Sequence, residues 1–133
     1  MSHLTVIKPT TVFVPPTFSY SHAVRMGDFV FVSGQVAQNV KGELVGKDDI
    51  RAQTEQVFEN LRLILEAAGS GLDLVGKVTV LITRLDYRPV VHEIRARVFG
   101  KFGHTPASTL AVVTSLALPE FLVEVDAVAL VRR

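Results

Sequence analysis

Apolar positions repeat with the helical period in two stretches of the chain. The clearer one is residues 49–68, where apolar side chains recur every three or four positions. Asp48 or Asp49 is a suitable N-terminal cap, and Gly69 is suited to the left-handed conformation that ends many helices. A second helix is predicted to begin at Pro89. Its apolar stripe consists of Val91, Ile94, Val98 and Phe102, widened by Val90 and Phe99.

Alternating apolar and polar positions predict strands on both sides of these helices. Residues 4–8 are a short candidate strand, and residues 22–36 are two strands joined at 26–28. A β-branched strand is predicted at 77–85, and two more follow the second helix, at 106–113 and 118–130. The core order is ββ-α-β-α-ββ. We therefore expect one α+β domain, 1–133, with two helices on a sheet.

Both faces of the predicted sheet are apolar. Alternation in the strand around residues 29–36 puts Phe29, Phe31, Ser33 and Gln35 on one face and Val30, Val32, Gly34 and Val36 on the other. Two helices of this length cover only one face, so the second face needs another cover. The chain has no further helical pattern. We therefore expect a homo-oligomer in which another copy supplies the cover.

Composition excludes several classes of function. The 133 residues include 14 basic and 13 acidic ones, for a net charge of +1, without a run of like charge. This balance predicts neither a nucleic-acid partner nor a membrane-binding basic patch. There is no cysteine, and the four histidines have no metal-ligand spacing. We expect no metal and no nucleotide cofactor. No secretion signal is recognisable, so the default expectation is a cytoplasmic protein.

Two acids interrupt the apolar pattern of the last strand. Glu124 and Asp126 are two residues apart, so both side chains are expected on the face that lacks helices, together with Val128 and Leu130. Burial between subunits and a neighbouring carboxylate would raise the pKa of such a group. A pair of this kind can position or deprotonate a water molecule. The alternative is that both acids are solvated or ion-paired at the rim of the sheet.

Other candidate site residues have weaker signals. Ser33, Gly34 and Gln35 end a strand, and Gly34 would allow close approach by a ligand or a neighbouring chain, although a simple bulge explains the same pattern. Tyr20 lies in a proline-rich loop, where it either overhangs a pocket or packs on the surface. His92 lies beside the apolar stripe of the second helix, where a structural role is the common one.

Five segments, in order, resemble one known family. They are "FSYSHAV", "FVFVSGQV", "QTEQVFENLRLILEAAG", "VGKVTVLITRLDYRPVVHEIRARVF" and "TPAST" followed by "LALPEFLVEVDAVA". Over essentially its whole length the chain resembles the Rid proteins, also called the YjgF or L-PSP endoribonuclease-like family. The resemblance implies a chorismate-mutase-like α+β fold, a mixed β-sheet with two helices packed on one face. It also implies a homotrimer with ligand clefts between subunits.

The resemblance further implies a chemistry. The best-known relatives, RidA-like proteins, hydrolyse enamines and imines such as 2-aminoacrylate to keto acids and ammonia, without a cofactor. In them an arginine of a P-A-R motif pairs with the substrate carboxylate, and a glutamate of the last strand helps to position the water. Carried over by position, the catalytic residue is Glu124, and the substrate-binding residues are Tyr20, Ser33, Gly34, Gln35, His92, Ser108 and Thr109.

One departure from the family pattern concerns the arginine. Ser108 stands where the P-A-R motif has its cation. Losing such an anchor weakens binding by about two decades or more. Hydrolysis of anionic imines is therefore expected to be weak, unless Arg25, Arg84 or Arg88 reaches the cleft.

Two interpretations remain open at this stage. One is a divergent imine or enamine deaminase that does not use an arginine at position 108. The other is a non-catalytic trimer that binds a small ligand or acts as a regulator. A ribonuclease is disfavoured by the balanced charge.

Overall fold

A six-stranded mixed sheet carries two helices on one of its faces. The computed structural model describes residues 3–133. In chain order the elements are β1 (Leu4–Ile7), β2 (Ala23–Met26), β3 (Phe29–Gln35), α1 (Ile50–Ala67), β4 (Val75–Ile82), α2 (Arg88–Phe99), β5 (Ala107–Val112) and β6 (Val123–Leu130). The strands lie in the order β1-β2-β3-β6-β4-β5. Only β4 and β5 pair in parallel, because α2 connects them as a crossover. The predicted fold class is confirmed.

Local signals in the sequence account for both helices. The Asp49 carboxylate accepts a hydrogen bond from the Ala52 N–H at 3.1 Å and so caps α1. Gly69 follows α1 with φ of 75°, the left-handed conformation expected of it. Pro89 lies in the first turn of α2, where its missing N–H leaves no helical hydrogen bond unmade.

The helices bury the inner face of the sheet. Val30, Val78 and Val125 are fully buried on that face, and α1 covers them with Leu61 and Ile64. The two helices meet where the rings of Phe58 and Phe99 pack edge to face, 5.8 Å between centroids. Burying such side chains stabilises the fold by about 1.5–3 kcal/mol each.

Some details differ from the predicted pattern. The strand predicted at 118–130 is β6, which begins only at Val123. The strand predicted at 77–85 is β4, Val75–Ile82, because residues 85–87 leave the sheet in a 3₁₀ turn before α2. The predicted stripe of α2 is shifted as well. Phe99 is fully buried together with Val91 and Ile94, whereas Val98 and Phe102 are only partly buried.

The outer face of the sheet has no helix over it. Phe29 and Phe31 of β3 lie there, 50% and 43% exposed, and their neighbours Met26, Leu4 and Val6 are also exposed. The predicted excess of apolar surface on this face is therefore confirmed. Among residues 3–133, no helix is long and apolar enough to cross a lipid bilayer.

The expected facing of Gln35 is wrong. The pairing of β3 with β6 slips between Val32 and Gln35. This bulge adds a residue to one strand and reverses the alternation beyond it. Gln35 is consequently 4% exposed, like Val32. Gly34 turns to the outer face instead, where it lies against Glu124 of β6.

Candidate functional site

Glu124 lies half-buried on the outer face, between strands β3 and β4. It pairs across the sheet with Leu81 of β4. Burial raises the pKa of the Glu124 carboxyl above its usual range, and the neighbouring Asp126 raises it further. None of the ion pairs among residues 3–133 includes it. Glu124 therefore has the setting expected of a group that exchanges protons with a bound water or substrate.

Gly34 makes room for this carboxylate. A Cβ atom added to Gly34 would lie 2.6 Å from Cδ and 2.8 Å from Cγ of Glu124. Carbon atoms in contact are normally separated by about 3.5–4.0 Å. Any other residue at position 34 would thus displace the Glu124 side chain. Gly34 therefore sets the position of the Glu124 carboxylate. The sequence predicted that a ligand or a neighbouring chain would approach Gly34 closely, and in the structure the Glu124 side chain of the same chain does so.

Asp126 is held by the sheet itself. Its Oδ1 accepts a hydrogen bond from the Thr79 N–H at 2.9 Å. Lys77 lies on the same face and donates from Nζ to Thr109 Oγ1 at 3.2 Å. The outer face thus carries Lys77 and the Thr79 hydroxyl on β4, next to the strand of the acids, and the Thr109 hydroxyl on β5, one strand further away.

A side-chain network positions the loop that contains Tyr20. His22 Nε2 lies 2.7 Å from the Phe13 carbonyl oxygen, and His22 Nδ1 lies 3.2 Å from the amide nitrogen of Gln35. The amide can only donate, so the imidazole accepts at Nδ1 and donates from Nε2. Ser33 Oγ donates to the Ser21 carbonyl at 2.6 Å. These bonds fasten the loop to the end of β3.

Tyr20 projects from this loop. It is 63% exposed and packs on Phe18, 4.4 Å between ring centroids. Tyr20, Gln35 and Gly34 line a small cavity of about 50 Å³. Gly34 therefore has two neighbours: the cavity that Tyr20 also lines, and the Glu124 side chain on the outer face.

Ser108 and His92 lie elsewhere. Ser108 pairs with Val78, a residue of the inner face, so its side chain is on the helix side of edge strand β5. There Arg95 of α2 donates from Nη1 to Ser108 Oγ at 2.8 Å, and its Nη2 lies 3.2 Å from His92 Nδ1. These three side chains line a cavity of about 220 Å³.

The predicted site residues therefore form two groups within one chain. Gly34 and Glu124 are in contact at the outer face, Thr109 lies on that face too, and Tyr20 lines a small cavity that Gly34 also lines. Ser108 and His92 lie on the inner face, with β4 separating β5 from β6. Within one chain Ser108 and Glu124 lie on opposite faces of the sheet, because β5 pairs with β4 in a register that turns Ser108 toward the helices.

Of the arginines considered for the missing cation, none contacts Ser108. Arg25 donates to the Gly27 carbonyl, Arg84 pairs with Asp86, and Arg88 is exposed at the start of α2. Arg95 was not predicted. Its position in the sequence nevertheless indicates that it lies near His92. Arg95 follows His92 by three residues and precedes Phe99 by four, and residues at these spacings share one side of a helix.

Residues 3–133 contain no group of three or more His, Cys, Asp or Glu side chains placed to hold a metal ion.

A six-stranded mixed sheet with two helices on one face and a half-buried glutamate on the other defines a small α+β protein. The family model described as Endoribonuclease L-PSP matches residues 11–131. The chain belongs to this family, the YjgF/Rid family.

Relatives agree along most of the chain. A RutC family protein of Pyrococcus horikoshii is 39% identical over 115 residues, covering 86% of this chain and 88% of the relative. A protein of Dermatophagoides farinae named 2-iminobutanoate/2-iminopropanoate deaminase is 27% identical over 117 residues, 87% of this chain and 88% of its own length. The solved structure of YyfA from Yersinia pestis, a Rid family protein of unknown function, superposes with a TM-score of 0.90 at 31% identity, covering 96% and 99% of the two chains.

Proposed function

We propose that this protein hydrolyses small imines or enamines to carbonyl compounds and ammonia. The observation that supports this most directly is Glu124, a half-buried carboxylate with a raised pKa and a position set by Gly34. A base whose pKa is moved toward neutrality both accepts and returns protons efficiently. The similarity to a relative named 2-iminobutanoate/2-iminopropanoate deaminase supports the same reaction class.

The proposed step uses only water and Glu124. The carboxylate accepts a proton from water as the oxygen attacks the carbon of the protonated imine (C=NH₂⁺), and the electron pair of the C=N bond moves to nitrogen, which becomes a neutral amine. Glu124 then returns its proton to that nitrogen. The C–N bond breaks as Glu124 accepts the remaining hydroxyl proton, ammonia leaves, and the carbon retains the oxygen as a carbonyl.

The site is proposed to lie in a cleft between subunits of a homotrimer. The exposed apolar outer face is the surface that a second copy would cover. In such a cleft Glu124 and Tyr20 come from one chain, whereas Ser108 comes from the next, since one chain has Glu124 and Ser108 on opposite faces. Exclusion of bulk water there would strengthen the interactions of the carboxylate.

The test compares three proteins on 2-iminobutanoate generated in situ by oxidation of the amino acid. The protein as it exists is expected to accelerate the decay of the imine, and Glu124→Gln to abolish the acceleration. Glu120→Gln is the matched control, because Glu120 is exposed and its side chain makes none of the hydrogen bonds described for the site. Equal rates for Glu124→Gln and the unaltered protein would contradict the proposal.

A second candidate is a non-catalytic trimer that binds a small ligand. Ser108 in place of the family's arginine is the observation that favours it. Ligand binding that survives Glu124→Gln, combined with no imine hydrolysis by the unaltered protein, would identify this alternative.

A further inference from the structure

The guanidinium of Arg95 has no acidic partner among residues 3–133. The ion pairs of this part of the chain use Arg51, Arg62, Arg84, Arg97, Arg132 and Arg133. Arg95 instead donates to two neutral atoms, Ser108 Oγ and His92 Nδ1. It is also partly buried.

The surroundings of Arg95 favour an anion. Burial lowers the pKa of the Arg95 guanidinium, and the charge of Arg88 lowers it further, yet arginine stays protonated at neutral pH. The nearest acid on α2, Glu93, is paired with Arg51 and does not neutralise it. A cation that is both desolvated and placed near another cation is stabilised by a bound negative charge.

The hydrogen-bond pattern leaves several donors free to face a ligand. Arginine only donates, so His92 must accept at Nδ1 and carry its proton on Nε2. Ser108 Oγ accepts from Arg95, which leaves the hydroxyl hydrogen without an acceptor in the described chain. The guanidinium, the hydroxyl and the imidazole N–H thus belong to one cluster at the seam between α2 and β5.

A cavity adjoins this cluster. It measures about 220 Å³ and is lined by Arg95, Ser108 and His92 on its polar side and by Phe99 and Pro106 on its apolar side. This space suits a ligand of a few heavy atoms with an anionic end and an apolar end. A planar carboxylate matches the fork of donors on a single guanidinium.

We propose that Arg95, Ser108 and His92 form a binding site for the carboxylate of a small organic acid. The site is complete within one chain. Its use as the anchor of an anionic imine, in a cleft completed by Glu124 of a second copy, rests on the proposed function. Arg95 would then supply from α2 the cation that position 108 lacks.

Binding is tested without catalysis, by NMR titration of the ¹⁵N-labelled protein with pyruvate and with pyruvamide, its neutral counterpart. Pyruvate is expected to shift the amide signals of α2 and β5, and pyruvamide to bind at least about tenfold more weakly. Arg95→Gln should weaken pyruvate binding by a similar factor. Arg97→Gln should leave it unchanged, since Arg97 lies on the same helix but pairs with Glu55.

Two further variants keep the test decisive. Ser108→Ala changes an exposed residue, so the fold should persist, and weaker pyruvate binding is expected. Glu120→Gln, at an exposed residue outside both groups of site residues, should bind pyruvate normally, and Arg95-dependent pyruvate binding by a protein that does not hydrolyse imines would separate failure of the proposed reaction from failure of this site. Equal binding of pyruvate and pyruvamide, tighter binding of inorganic phosphate than of pyruvate, or unchanged binding by folded Arg95→Gln would each overturn the assignment.

Discussion

A substitution at Gly34 would displace the Glu124 carboxylate without removing it. In Gly34→Ala the new Cβ would lie 2.6 Å from Glu124 Cδ, so the carboxylate must retreat by roughly 1 Å to restore normal contact. Turning the Glu124 side chain off its present rotamer costs about 0.5–1.5 kcal/mol. The backbone of Gly34 is not in the left-handed region. Alanine therefore also removes unfolded-state freedom, which stabilises by about 0.4–1 kcal/mol.

The two contributions to stability nearly cancel, and the expected change in the free energy of unfolding is within about 1 kcal/mol. Activity should respond much more, because a displacement of about 1 Å in a catalytic group costs on the order of 100-fold in rate. We expect kcat for imine hydrolysis to fall by that factor while the urea unfolding midpoint barely moves.

The matched control is Gly76→Ala in β4, where an added Cβ has no heavy atom within 4 Å. It should leave kcat unchanged. If Gly34→Ala hydrolyses imines as fast as Gly76→Ala, the placement of Glu124 by Gly34 has no catalytic importance and the reasoning fails.

Three other predictions concern stability and assembly. Because the pKa of the Glu124 carboxyl is raised in the folded state, its ionised form destabilises the fold at pH values above the ordinary pKa of 4.5. Glu124→Gln should therefore raise Tm at pH 7. A gain in Tm that does not fade below pH 4.5 would contradict this. Buried Gln53 bonds to the Gly46 and Glu120 carbonyls and the Leu122 N–H. Gln53→Leu should lower the free energy of unfolding by about 2–4 kcal/mol in urea titrations, whereas Gln56→Leu, on the same helix, should cost less. Light scattering at micromolar concentration should give three times the 14.5 kDa chain mass, and a monomer mass would refute the trimer.

The sequence predicted most of the fold because the relevant signals are local. The cap at Asp49, the glycine after α1 and the alternation in β6 each depend on neighbouring residues, and each appears where expected. The bulge at the end of β3 was weighed as an alternative for residues 33–35. Its effect on Gln35 was not predicted, since alternation alone does not show where pairing with β6 slips.

The candidate site was harder to predict for the same physical reason. The place of Glu124 on the outer face follows from period-two alternation. The separation of Ser108 from Glu124 depends instead on the register of β5 against β4, a pairing between distant segments. Arg95 is a tertiary neighbour of Ser108, thirteen residues away along the chain, and no motif identifies it.

The arrangement of Ser108 and Glu124 on opposite faces has a consequence for mixtures of defective proteins. If every cleft combines the inner face of one chain with the outer face of the next, then Arg95→Gln and Glu124→Gln damage different halves of the cleft. Trimers reassembled from equal amounts of the two variants would contain clefts with both halves intact, about one in four by chance. Such subunit complementation would restore roughly a quarter of the activity, whereas a site confined to one chain would restore none.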